Sequence, residues 1–210
     1  MNPMPFHVVL ETAKFLAELP KPWFVAGGWA IDLYLNRSLR NHKDVDISVF
    51  RHDQLVIQEY FNERGWQLRK YVGNSVELEP WLTGEQLELP DRGIRAERSY
   101  QHSTTIDILL SETNGKQWLF HQDSRITHPI ETISVYSALG VPILCPEIVL
   151  LFKARHLYAT DPESLLHREA DESDFLAIQG SITLAQRNWL VTALRLLYPA
   201  HPWQNSLEQG

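Results

Sequence analysis

Gly27-Gly28-Trp29-Ala30-Ile31-Asp32, followed by Arg40-Asn41-His42-Lys43-Asp44-Val45-Asp46-Ile47, is the stretch that decides how this chain reads. Adjacent glycines let a backbone approach a ligand that a side chain would block. Val45, Ile47 and Val49 alternate with the acids in a β-type run, so Asp44 and Asp46, two residues apart, point to one face of a strand. Two hard oxygen donors a few Å apart suit magnesium. Trp23-Phe24-Val25-Ala26 reads as a short buried strand that stops at the glycines, and Trp29 to Leu35 as a helix. Strand, glycine turn and helix together aim backbone N–H groups at an anion.

Working outward, residues 7–18 carry helical spacing that Pro20 and Pro22 end, and Asp53 to Gly65 reads as an amphipathic helix. Trp66-Gln67-Leu68-Arg69 and Ser75-Val76-Glu77-Leu78 are strand-like, while 79–98, with Pro80, Gly84, Pro90 and Gly93, reads mostly as loop. Thr104 to Leu110 is β-rich with Asp107 in its middle, and Asn114-Gly115 predicts a hairpin over 104–121. From Pro146 the pattern turns helical: a helix opening at Pro146-Glu147, then Asp171 to Ala177 and Thr183 to Leu197, with an irregular tail over 199–210. The expected division is an α/β part over 1–144 and a helical part over 145–210.

Composition sets bounds. The 210 residues are 44% hydrophobic and 21% charged, enough for an adequate core. A net charge of -7 argues against a large nucleic-acid footprint, which needs clustered Lys and Arg. The single cysteine, Cys145, excludes an intramolecular disulfide and a cysteine zinc site, and its apolar neighbours make it a buried structural residue. No targeting segment is visible at Met1-Asn2-Pro3-Met4-Pro5-Phe6 and no run approaches a membrane span, so a cytoplasmic location is expected, without a membrane partner. The nine histidines lack His-Glu-x-x-His spacing, and Ser103-Thr104-Thr105 forms no nucleophile elbow. The tryptophans read as core, with Trp81, in its Pro/Gly-rich loop, the one best placed to stack on a ligand. Asp107, between Ile106 and Ile108, would be costly to bury without a partner and is the natural third carboxylate.

With these residues in place, the run Gly27-Gly28-Trp29-Ala30-Ile31-Asp32 followed by Arg40-x-His42-x-Asp44-x-Asp46 resembles the nucleotidyltransferase superfamily typified by DNA polymerase β. It is most similar to the aminoglycoside 2''-adenylyltransferase-like branch. The 15 residues between Gly28 and Asp44 suit that branch. So do Gly115-x-x-Trp118-x-Phe120, Arg125-Ile126-Thr127-x-Pro129, Pro146-Glu147-x-x-Leu150-Leu151-x-Lys153-Ala154 and Asp171-Glu172-x-Asp174-Phe175, giving coverage of roughly 23–203. The resemblance implies an α+β fold, a mixed sheet flanked by helices with a helical C-terminal part. It also implies transfer of a nucleoside monophosphate, AMP from ATP in the first instance, to a hydroxyl of a small acceptor such as an aminoglycoside, with release of pyrophosphate.

Asp44 and Asp46 would hold one magnesium on the triphosphate and share a second with Asp107, which would also orient or deprotonate the acceptor hydroxyl. Gly27 and Gly28 would donate backbone N–H groups to the phosphates, without the serine hydroxyl that many superfamily members carry at the second position. The resemblance casts Lys153 as a triphosphate contact, and Arg40 and His42 would lie near the triphosphate mouth. Asp171 and Asp174 match the branch's Lys-Asp-x-x-Asp-Phe pattern, with Ala170 in the lysine position, and read as helix-start or interdomain residues. Two other readings stay open: modification of a protein or RNA, for which Arg64, Arg69, Lys70, Arg92, Arg95 and Arg98 could supply a basic patch, and non-catalytic nucleotide binding. The sequence does not fix the oligomeric state or the acceptor.

Overall fold

The computed structural model describes residues 6–73, 75–98, 104–160 and 162–209. The expectations for Met1 to Pro5 and for Ser103 lie outside them. The described residues form a mixed sheet with helices against it, the α+β architecture expected. The strands run β1 (Trp23–Val25), β2 (Val45–Phe50), β3 (Gln67–Tyr71), β4 (Leu78–Pro80), β5 (Gly93–Arg98), β6 (Thr104–Thr113), β7 (Gln117–Leu119), β8 (Thr127–Pro129), β9 (Ser134–Tyr136) and β10 (Pro142–Leu144). Their order is β4-β3-β5-β6-β2-β1-β10-β9, with β7 joining β6 to β8. The helices are α1 (His7–Leu16), α2 (Gly27–Tyr34), α3 (Gln54–Glu63), α4 (Pro146–Tyr158), α5 (Pro162–Ile178), α6 (Leu184–Leu197) and α7 (Trp203–Gln209).

β2 is the central strand. Its alternate residues Val45, Ile47 and Val49 are buried with Ile106, Ile108 and Leu110 of β6 and Ile94 and Ala96 of β5. Residues on one face of a strand recur every second position, so Asp46 and Asp107 belong to the opposite face. β2 and β6 run parallel with Asp46 beside Asp107, and β5 runs antiparallel to β6 with Arg95 beside Asp107. One row across three strands therefore reads Asp46, Asp107, Arg95.

The structure differs from the sequence reading in several places. Residues 93–98 are a strand, not loop. The apolar alternation of Ile94 and Ala96 is strong enough to pair with both β3 and β6, although Pro90 and Gly93 mask it. The helix expected at 171–177 starts at Pro162, which puts Asp171 and Asp174 in its middle and not at its start. The tail contains α7, which buries Trp203 and Leu207. Trp81 is buried, with its indole N–H given to the Glu85 carbonyl, so it serves the core and not a ligand. Cys145 is buried, as expected. No helix of the described residues is long and apolar enough to cross a membrane.

α6 has a reciprocal start. The Thr183 hydroxyl accepts from the Gln186 backbone N–H while the Gln186 side chain accepts from the Thr183 N–H. The other end of the Gln186 amide donates to Glu147 Oε2 at 2.8 Å, tying α6 to α4. Loss of the hydroxyl cap removes one satisfied donor at the helix start. Thr183→Ala should lower the free energy of urea-induced unfolding by about 1 kcal/mol; an unchanged midpoint would show that the cap contributes nothing here.

Candidate active site

Ala26, extended and hydrogen-bonded from its N–H to the Asp46 carbonyl at 2.8 Å, leads into α2, whose first residues are the two glycines. Gly27 has φ +58°, a conformation that side chains disfavour, and a Cβ there would stand 1.9 Å from Oδ2 of Asp46. A Cβ on Gly28 would meet the His42 ring at 2.3 Å and Nη2 of Arg40 at 2.5 Å. The glycine pair is thus what allows a carboxylate, an imidazole and a guanidinium to close over the start of α2. Trp29, the next residue, gives its indole N–H to the Asp44 carbonyl at 3.1 Å and packs on His42 with ring centroids 4.5 Å apart. It fixes the backbone from which the first carboxylate projects.

Asp44, Asp46 and Asp107 each offer a carboxylate oxygen, and the three oxygens lie within 4.8 Å of one another. Burial, and then the neighbouring acids, raise the carboxyls of Asp44 and Asp46. Asp46 is pushed from 3.8 up to about 7, while Lys153 and Arg40 pull it partly back. Like charges gathered in partial burial call for a cation between them, and an all-oxygen donor set suits magnesium. The residues present therefore fit a divalent ion.

Lys153, on α4, is buried rather than solvated. Its ammonium reaches Asp171 at 2.5 Å and Asp174 at 2.8 Å, both on α5. Burial alone would lower its pKa, but these two carboxylates hold it above the usual lysine value. Asp174 Oδ2 also accepts from Arg40 Nη2 at 3.3 Å, and Asp171 Oδ2 lies 2.6 Å from Nδ1 of His156. The two acids are therefore partners of the site's cations, which corrects their reading as helix-start residues. The Arg40 pair links the loop before β2 to α5. His42 is held by Asp32, fully buried, through Nε2 to Oδ2 at 2.9 Å.

Sequence reasoning missed three participants. Arg95 forks onto Asp107, with Nε to Oδ1 at 3.0 Å and Nη2 to Oδ2 at 2.8 Å. Tyr71 donates its hydroxyl to the same Oδ1 at 2.9 Å. Asp32 was quoted in the motif without a role. The strand alternation of 93–98 could have revealed Arg95; nothing local could have paired it with Asp107. The basic patch envisaged for a macromolecule is largely spent internally: Arg95 is on Asp107, Lys70 on Glu85, Arg69 on the Leu78 carbonyl, Arg64 beside Glu18 and Glu63, and Arg92 against His121.

Residues 8–80, which include the glycine pair and both strand aspartates, match the family model described as aminoglycoside-2''-adenylyltransferase. In structure the chain is similar to ANT(2'')-Ia in complex with adenylyl-2''-tobramycin, with a TM-score of 0.59 at 15% identity over 91% of this chain and 98% of that one. The chain shares its fold with these adenylyltransferases, and its residues 8–80 resemble the aminoglycoside 2''-adenylyltransferase family. A solution structure of ANT(2'')-Ia matches with a TM-score of 0.58 at 20% identity, covering 92% of this chain and 94% of that one. The lincomycin-bound lincosamide antibiotic adenylyltransferase LnuA matches with a TM-score of 0.54 at 14% identity, covering 84% and 97%. Among curated proteins, none matches the chain in sequence.

This geometry makes two predictions. Because the folded-state pKa of Asp46 is raised from 3.8 to about 7, the folded protein binds its proton more tightly than the unfolded chain does. Its contribution to stability is full below about pH 4 and is lost as the pH rises through about 7. The metal-free protein should lose urea stability between about pH 4 and pH 7 relative to Asp46→Asn, in which that slope is absent; parallel profiles would contradict the raised pKa. Gly28→Ala should displace Arg40 and His42 and weaken nucleotide binding at least ten-fold by calorimetry, with the circular dichroism unchanged.

Proposed function

We propose that the protein moves a nucleoside monophosphate, AMP from ATP in the first instance, onto a hydroxyl of a small acceptor of the aminoglycoside-like antibiotic class, releasing pyrophosphate. The observation that carries this reading is the convergence of three carboxylates beside a glycine turn, with Arg40 against Gly28 and the charges of Arg40 and Lys153 acting on Asp46. The family match and the antibiotic adenylyltransferase folds give the acceptor class its support. Asp44 and Asp46 would hold one magnesium and share a second with Asp107; bound there, the ions supply neutralisation of charge on the phosphates.

The chain's own residues do the rest. Gly27 and Gly28 present backbone N–H groups to the phosphates, and Arg40 and Lys153 counter the charge of the triphosphate. Lys153 has three N–H donors, two of them directed at Asp171 and Asp174, so those acids set where its charge sits. Asp107 orients the acceptor hydroxyl and accepts its proton as it attacks the α-phosphate in line. In this reading the part over 1–144 contributes the carboxylates and the part over 145–210 contributes Lys153. A cytoplasmic location agrees with an NTP as co-substrate.

A protein or RNA acceptor gains no support from the internally paired arginines. A non-catalytic role would favour Asp107 turned away from Asp44 and Asp46, whereas its oxygen lies within their cluster. The test is calorimetry with each of the four NTPs as non-hydrolysable α,β analogues, with and without magnesium. It is followed by pyrophosphate release with aminoglycoside and lincosamide acceptors. One analogue should bind only with magnesium, and Asp44→Asn should abolish both that binding and turnover. Turnover that survives intact in Asp44→Asn would refute the carboxylate assignment.

A further inference from the structure

Arg95 is the cation set directly against the carboxylate cluster. Its guanidinium takes both oxygens of Asp107 and also reaches Oδ2 of Asp44 at 3.8 Å. The pairing is built into the sheet, because β5 sets Arg95 directly beside Asp107. Tyr71 reinforces it from β3, with its hydroxyl on Asp107 Oδ1 and its ring against Gly93, where a Cβ would come within 2.9 Å of the ring. Gly93 is therefore the residue that lets Tyr71 lie down on β5. Arg95 is thus an internal counter-charge to the cluster, concentrated on Asp107, in addition to the pull of Lys153 and Arg40 on Asp46.

We propose that Arg95 is a positioning residue that closes the second metal seat, holding Asp107 away from a divalent ion until the guanidinium is displaced. This rests on the carboxylate assignment of the preceding section. A bidentate guanidinium occupies the lone pairs of a carboxylate that face it. A dication sharing the same carboxylates would be repelled by the fixed positive charge beside it. Asp44 and Asp46 touch the guanidinium less or not at all, so their oxygens stay open to a cation while Asp107 stays clamped. The triphosphate is the natural group to draw Arg95 off, since it offers anionic oxygens of the geometry a guanidinium fork accepts. Release of Asp107 then frees the base at the moment the donor is in place, which guards an NTP against attack by water in an incomplete site.

The test is manganese binding followed by electron paramagnetic resonance, with no turnover required. Wild-type protein should bind Mn²⁺ weakly without nucleotide and more tightly with a non-hydrolysable α,β NTP analogue. Arg95→Gln should bind Mn²⁺ at least ten-fold tighter than wild type in the absence of nucleotide, and Arg95→Lys, which keeps the charge and loses the fork, should fall between. A merely structural arginine would not raise metal affinity when removed. Affinity in Arg95→Gln equal to or below that of wild type, with the far-ultraviolet circular dichroism and melting temperature retained, would overturn the proposal while leaving the carboxylate assignment standing. Failure of wild type to bind Mn²⁺ even with the analogue, or undiminished binding in Asp44→Asn, would instead overturn the assignment and this inference with it.

Discussion

The register of β2 against β6 is the constraint on which the site depends. It sets Asp46 beside Asp107 although more than fifty residues separate them in the chain. Two carboxylates within 4.8 Å repel by roughly 3 kcal/mol at an effective dielectric of about 20. The fold accepts that cost because the opposite face of the same strands, with Val45, Ile47, Ile106 and Ile108, is fully buried and fixes the pairing. A slip of one residue would send the acids into the core and the valine and isoleucines to the surface. The hydrophobic face thus holds in place a charged face that would otherwise disperse.

The second constraint is steric. Gly27 and Gly28 lie under Asp46, His42 and Arg40 at distances that no Cβ could share. The turn therefore serves two ends at once: it opens α2, whose first N–H groups have no partner within the helix, and it lets the side chains of the following loop and strand fold back over it. Trp29 adds a direct link from the helix to the Asp44 carbonyl. The motif works as a single packed unit, which explains why the glycines, the tryptophan and the aspartates occur together in the sequence.

Charge organisation joins the two parts of the chain. Asp174, fully buried on α5, receives Lys153 from α4 and Arg40 from the loop before β2. Removing one member of such a buried set leaves the others uncompensated, which is commonly more harmful than replacing the whole set. The carboxylate cluster has its own internal cation in Arg95, while Lys153 and Arg40 gather on Asp174.

Much of this was legible locally. Period-two alternation exposed β2 and β6, adjacent glycines before a helix exposed the turn, and Asp107 declared itself by sitting charged in an apolar run. What escaped were elements whose local signal is masked or whose meaning is a partner. Pro90 and Gly93 disguised β5, and the last residues of the chain looked irregular until α7 buried Trp203 against Phe175. Lys153 could equally have been a solvated helix lysine, and only the packing of α5 on α4 gives it two carboxylates and removes it from water. The sequence by itself determined the motif and the three candidate acids, which follow from residue type and short-range period, and its resemblance to the nucleotidyltransferases implied the fold class. Tertiary structure alone decided that Arg95 and Tyr71 hold Asp107 and that Asp171 and Asp174 hold Lys153. Those choices depend on strand register and helix packing between segments far apart in the chain, which no local pattern encodes.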